Sequence, residues 1–173
     1  MADMDDRIHR RRPAARLVLG AALAALTLLA GAADVPTAPD FALRSAAGGN
    51  HRLSEHRGEV VALVFWASWC GGCRRELERF ERLRKTYEAV GLVVYGINLD
   101  KQTAQAGAIA SATGIGYPVL VDADKAVSRS YRVNDLPLIV LIDRNGVIRA
   151  RHDALDEREE RGLMVSLRDL IDE

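Results

Sequence analysis

Residues 60–73 read Val60-Val61-Ala62-Leu63-Val64-Phe65-Trp66-Ala67-Ser68-Trp69-Cys70-Gly71-Gly72-Cys73. The first seven are aliphatic or aromatic with no polar alternation, the pattern of a strand buried on both faces and therefore of a central, parallel strand. After the cysteines the period changes. Leu77, Phe80, Leu83 and Tyr87 follow at spacings of three, three and four with charged residues between them, which predicts an amphipathic helix. Cys70 and Cys73 thus fall at a strand-to-helix junction, Cys70 near the helix N-terminus and Cys73 about one turn in. The unpaired N–H groups and the dipole at such a terminus favour a thiolate. Lowering a free thiol pKa from about 8.5 to about 7 takes roughly 2 kcal/mol, near the ceiling of a helix terminus alone, so a further donor is expected. The deeper Cys73 is the more shielded thiol, which makes Cys70 the attacking sulfur and Cys73 the resolving one.

These are the only two cysteines of the 173-residue chain. A zinc site would need a second pair of ligands, but no second CxxC follows and the four histidines, at 9, 51, 56 and 152, are scattered. The expected metal set is therefore none. As a structural staple, a disulfide closing so short a loop constrains the unfolded chain little. Redox exchange accounts for the spacing better. A soft-metal module holding Cu(I) between the same two thiolates is the alternative from a different class.

Working outward, Leu92-Val93-Val94-Tyr95-Gly96-Ile97-Asn98 predicts a second buried strand, followed by a helix over Gln102 to Ala112 that Gly114 ends. Pro118 to Val121 reads as a short strand and Lys125 to Tyr131 as a helix. Leu136-Pro137 leads into the strand Leu138 to Ile142. Asp143-Arg144-Asn145-Gly146 is a hairpin turn into Val147 to Arg151, so this last pair is antiparallel. A closing helix carries Leu163, Leu167, Leu170 and Ile171 on one face. Alternating strands and helices ending in a hairpin predict an α/β fold, a central mixed sheet flanked by helices on both faces.

The N-terminal end has a different composition. Arg7, Arg10, Arg11, Arg12 and Arg16 precede an apolar run from Leu17 to Ala33 that ends in small residues including Ala30-Gly31-Ala32. Residues 1–33 read as a signal peptide or an N-terminal membrane anchor, since seventeen residues at about 1.5 Å each reach roughly 25 Å against a hydrocarbon core of about 30 Å. Both forms place the domain outside the cytoplasm, periplasmic or otherwise extracytoplasmic. Residues 34–40, with Pro36 and Pro39, read as a short extended linker, and 41–173 as one domain. Without residues 1–33 the chain carries 19 basic and 21 acidic residues, which leaves no basic surplus to attract nucleic acid.

These residues together resemble the thioredoxin superfamily, in its exported TlpA-like and ResA-like branch. The likeness runs from Ala38-Pro39-Asp40-Phe41 through Leu53-Ser54, Gly58 and Phe65-Trp66-Ala67-Ser68-Trp69-Cys70 to Leu136-Pro137 and Ile142-Asp143-Arg144-Asn145-Gly146. It implies a thioredoxin-like fold and a thiol-disulfide oxidoreductase that needs no cofactor beyond its Cys70-Cys73 pair. Many such proteins are reductases serving cytochrome c maturation or other periplasmic thiols. The implied partners are client proteins with disulfides or thiols and an upstream thiol electron donor, membrane-embedded or not. Cys70 becomes the nucleophile, Cys73 the resolving thiol and Pro137 a cis-proline beside them. Trp69, Gly71, Gly72 and Leu136 become client-contacting residues, with the backbone of Leu136 free to pair with an extended segment. Glu76 matches an active-site acid that exchanges protons with the thiols; the competing expectation is a solvated partner of Arg79 at i+3.

Four positions depart from the superfamily's patterns. Gly72 stands where proline is usual, which alters the balance of dithiol and disulfide states. Val64 occupies the place where cytoplasmic thioredoxins carry a buried aspartate, Glu78 that of a common helix-kinking proline, and Leu138 that of a usual threonine. A related thiol peroxidase would carry a PxxxTxxC context, but Leu63 and Ala67 hold its proline and threonine positions.

Overall fold

The computed structural model describes residues 37–153 and 157–173. The signal peptide or anchor expected over 1–33, and residues 34–36 of the expected linker, lie outside the described residues. Strand β1 (Ala42–Arg44) pairs antiparallel with β2 (Asn50–Arg52) in a small separate sheet. Then come β3 (Val60–Trp66), α1 (Cys73–Tyr87), β4 (Leu92–Asn98), α2 (Thr103–Thr113), β5 (Val119–Val121), α3 (Ala126–Ser130), β6 (Leu138–Ile142), β7 (Ile148–His152) and α4 (Glu157–Asp172).

The main sheet has the order β5-β4-β3-β6-β7. Its β3–β4 and β4–β5 pairs are parallel, while β6 runs antiparallel to both β3 and β7. All seven residues of β3 are buried, as an uninterrupted apolar run at the sheet centre requires. The pleat divides them between two cores. Val60, Ala62, Val64 and Trp66 join Leu77 and Phe80 of α1, Ala106 of α2, and Leu163, Leu167 and Leu170 of α4. Val61, Leu63 and Phe65 join Phe41, Leu53, Val127 of α3 and Tyr131 on the other face. Helices therefore cover both faces of a mixed sheet. Glu81 fastens α1 to the segment before β5 by accepting from Gly116 N–H at 2.9 Å, and hydrogen bonds from Arg84 hold its carboxyl down to about 2.

Several boundaries move, each for a local reason. α1 begins at Cys73 itself, so Cys73 is the first helical residue and does not sit one turn in. α3 is shorter than Lys125 to Tyr131 because Lys125 takes a left-handed backbone (φ 55°) that cannot continue a helix. Val147 accepts from Asp143 N–H at 2.9 Å across the turn and makes an isolated bridge to Thr37, while β7 itself starts at Ile148. That bridge also removes the expected spacer over 37–40. Ala38 N–H donates to Gly146 O at 2.9 Å and Tyr131 Oη to Pro39 O at 2.8 Å, so this segment is tied to the domain. The β1–β2 hairpin has no counterpart in the sequence reading. Its strands are three residues each, and the turn uses Gly48 and Gly49 at φ 103° and 82°.

Candidate active site

Cys70 and Cys73 form a disulfide, with S–S 2.08 Å and Cα atoms 5.5 Å apart. The buried strand β3 delivers the chain to the rim of the sheet, where the loop 67–72 turns it into α1. Gly72, the N-cap residue of that helix, provides no side-chain cap, so the first-turn N–H groups have no capping side chain and face the loop carrying Cys70. Cys70 is half-buried whereas Cys73 is 1% exposed. The asymmetry fits an attacking thiol at the surface and a resolving thiol beneath it. Both line a depression of about 190 Å³ with Trp66, Arg74, Leu77 and Ile109.

The Leu136-Pro137 bond is cis, and Pro137 is buried beside the cysteine loop: a Cβ built on Gly72 would meet Pro137 Cδ at 3.8 Å. At 3.8 Å the contact is an ordinary one, so glycine at 72 is not a steric necessity. Among the described residues the backbone N–H and C=O of Leu136 make no hydrogen bond. Trp69 is 71% exposed, and Gly71 and Gly72 are exposed with it. Trp69, Gly71 and Gly72 adjoin Cys70 along the chain, and the cis-proline that follows Leu136 lies next to Gly72.

Glu76 is not the solvated residue of the bland expectation. It is 4% exposed, one turn after Cys73 on the buried side of α1, and its Oε2 has no hydrogen-bond partner. Burial raises its carboxyl above the usual carboxylate range; the Arg79 charge pulls the other way and Glu160 adds to the rise. Arg79 Nη1 stands 3.8 Å from Glu76 Oε2, an ion-pair distance beyond hydrogen-bonding reach.

A family model described as the AhpC/TSA family matches residues 36–151. The chain belongs to the AhpC/TSA family. It is similar to the thiol-disulfide oxidoreductase ResA of Geobacillus kaustophilus, 35% identical over 113 residues that make up 65% of this chain and 65% of that relative. It is also similar to the thioredoxin-like protein YneN of Bacillus subtilis, 36% identical over 118 residues, 66% of this chain and 68% of that one. Among solved structures, a putative thiol:disulfide interchange protein DsbE from Chlorobium tepidum superposes with a TM-score of 0.74 at 33% identity, covering 79% of this chain and 96% of that one. The matched region is thus just under two thirds of the ResA relative's length.

Within this AhpC/TSA chain the sequence reading missed one group that shapes the site. Asp100, buried after β4, accepts from Ser68 N–H at 2.9 Å, from Ser68 Oγ at 3.0 Å and from Asn98 Nδ2 at 2.8 Å. Its own N–H donates to Asn98 Oδ1 at 3.1 Å. The carboxylate holds the start of the cysteine loop against the neighbouring strand end. The available signal was the Asn98-Leu99-Asp100 triplet closing a buried strand, where polar groups must find partners. Asp100→Ala strands the buried Asn98 amide and two partly buried Ser68 donors, and a buried donor left unpaired costs about 1–3 kcal/mol. We expect a loss of roughly 3 kcal/mol in denaturant unfolding; a loss under about 1 kcal/mol would return Asp100 to an incidental role.

Proposed function

We propose that this protein is an extracytoplasmic thiol-disulfide oxidoreductase that exchanges its Cys70-Cys73 pair with disulfides in client proteins, on the reductive side of thiol maintenance or cytochrome c maturation. The observation that carries the reading is the pairing of a half-buried Cys70 with a buried Cys73 at an uncapped helix N-terminus. The names of the ResA and DsbE relatives support it, and the arginine-rich, apolar character of residues 1–33 supports export. Clients bind as extended segments across Trp69, Gly71 and Gly72, pairing with the backbone of Leu136.

In the reductive direction the Cys70 thiolate attacks one sulfur of a client disulfide, forming a Cys70-client bond and releasing the other client sulfur as thiolate. Cys73 then attacks the Cys70 sulfur, closing the intramolecular disulfide and releasing the second client thiolate. Two electrons pass to the client, and an upstream dithiol restores the pair. Glu76 takes the Cys73 proton as that sulfur attacks and returns it on reduction.

The thiol peroxidase alternative lacks its chemistry here, because Leu63 and Ala67, both buried, leave Cys70 without the proline and the threonine hydroxyl of that motif. The tryptophans report the redox state directly. Trp66 lines the depression with both sulfurs and Trp69 adjoins Cys70, and a disulfide quenches indole emission at contact. Reduction is expected to brighten emission with a midpoint of about −270 to −120 mV, the range of exchange-active pairs. A midpoint below about −300 mV would identify a structural disulfide and overturn the proposal.

A further inference from the structure

Arg79 lies between two carboxylates and serves them unequally. Its Nη2 is 2.5 Å from Glu160 Oε1 on α4, while its Nη1 stays 3.8 Å from Glu76 Oε2 on its own helix. The guanidinium is nearly buried, Glu76 is buried, and the Glu160 side chain is 55% exposed. A cation this close to a buried carboxylate ordinarily closes to a hydrogen-bonded pair, because an unpaired buried oxygen is costly. Here the outer carboxylate takes the contact and the inner one keeps a free oxygen.

We propose that Glu160 is a positioning residue for the active-site acid: by holding Arg79 Nη2 it keeps the guanidinium beyond hydrogen-bonding reach of Glu76 Oε2, leaving that oxygen free to exchange a proton with the thiols. The inference rests on the proton-handling reading of Glu76 given above. The charged and titratable groups around Glu76 are Arg75, Arg79 and Arg82 on α1, Glu160 on α4, and Tyr117 before β5; His152 on β7, beneath α4, is engaged at Nδ1 by Glu159. Of these, Glu160 is the anion acting on Glu76, and it acts twice. Its charge opposes ionisation of Glu76 through space, and its contact holds away the cation that would favour it.

The test follows the Glu76 carboxyl itself by carbon-13 NMR titration of glutamate-labelled protein. Glu160→Gln, at a half-exposed position, is expected to lower the Glu76 midpoint by at least about half a pH unit, the size of a moderate charge effect. Arg79→Gln is expected to raise it. A merely structural bridge between α1 and α4 would reduce stability in both variants without moving the midpoint in opposite directions. An unchanged or raised midpoint in Glu160→Gln overturns the proposal. The proton-handling reading of Glu76 fails separately, if Glu76→Gln leaves the thiol alkylation profile unchanged.

Discussion

Cys73→Ser, expressed as the full chain, is expected to accumulate client proteins joined to Cys70 through disulfides that reductant releases. The reason is mechanistic: with the resolving sulfur gone, the second displacement has no nucleophile and the cycle halts at the mixed disulfide. Turnover on a disulfide client should fall at least roughly a thousand-fold, the scale on which losing a covalent nucleophile is felt. Cys70→Ser should be as inactive but trap far fewer clients, because the remaining Cys73 is 1% exposed and a client sulfur cannot approach it in line. The comparison is read on a non-reducing gel followed by identification of the released partners. Equal trapping by the two variants would contradict the division of labour between the sulfurs. Adducts confined to the cytoplasm would contradict export. Absence of trapping from both, together with tight stoichiometric Cu(I) binding, would favour the soft-metal alternative.

What the sequence disclosed and what it hid follow from the range of the interactions concerned. β3, β4 and β6 were legible residue for residue, because a strand buried on both faces leaves an apolar run whose ends are marked by glycine, proline or polar residues. The β1–β2 hairpin was not, since three-residue strands such as Asn50-His51-Arg52 carry no apolar alternation. The cysteine pair announced itself by spacing, and the fold bears out the unequal shielding of its two sulfurs. Asp100 stayed hidden because its partner Ser68 is 32 residues away. The environment of Glu76 was half visible. Spacing on the helix put Arg79 within range, but only the packing of α4 shows that Arg79 is turned toward Glu160, 81 residues along the chain. Ion pairs on α1 join Glu81 with Arg84 and Lys85, and Arg84 with Glu88, and Glu81 also accepts from Gly116 N–H before β5. Glu78, at the place of a kinking proline, leaves α1 unbroken from Cys73 to Tyr87.

Glu76→Gln should separate stability from catalysis with opposite signs. Because burial raises the Glu76 carboxyl in the folded protein above its unfolded value, the protonated form is the one the fold favours. By linkage the corresponding stability is fully present below the unfolded pKa and lost as pH rises through the folded one. The wild type is therefore expected to lose stability through this window, while the glutamine variant, neutral throughout, lacks that loss and is at least as stable on the alkaline side. Exchange runs the other way. Glutamine cannot take the proton of Cys73, so disulfide exchange near neutral pH should slow by roughly a hundred-fold, the low end for a positioned acid or base. The alkylation profile of reduced Cys73 should also shift to lower pH, since an ionised carboxylate one turn away opposes a thiolate. Unfolding midpoints across pH, stopped-flow exchange and alkylation rates read the three effects separately. A variant that loses stability on the alkaline side and exchanges at the wild-type rate would show that Glu76 contributes packing alone.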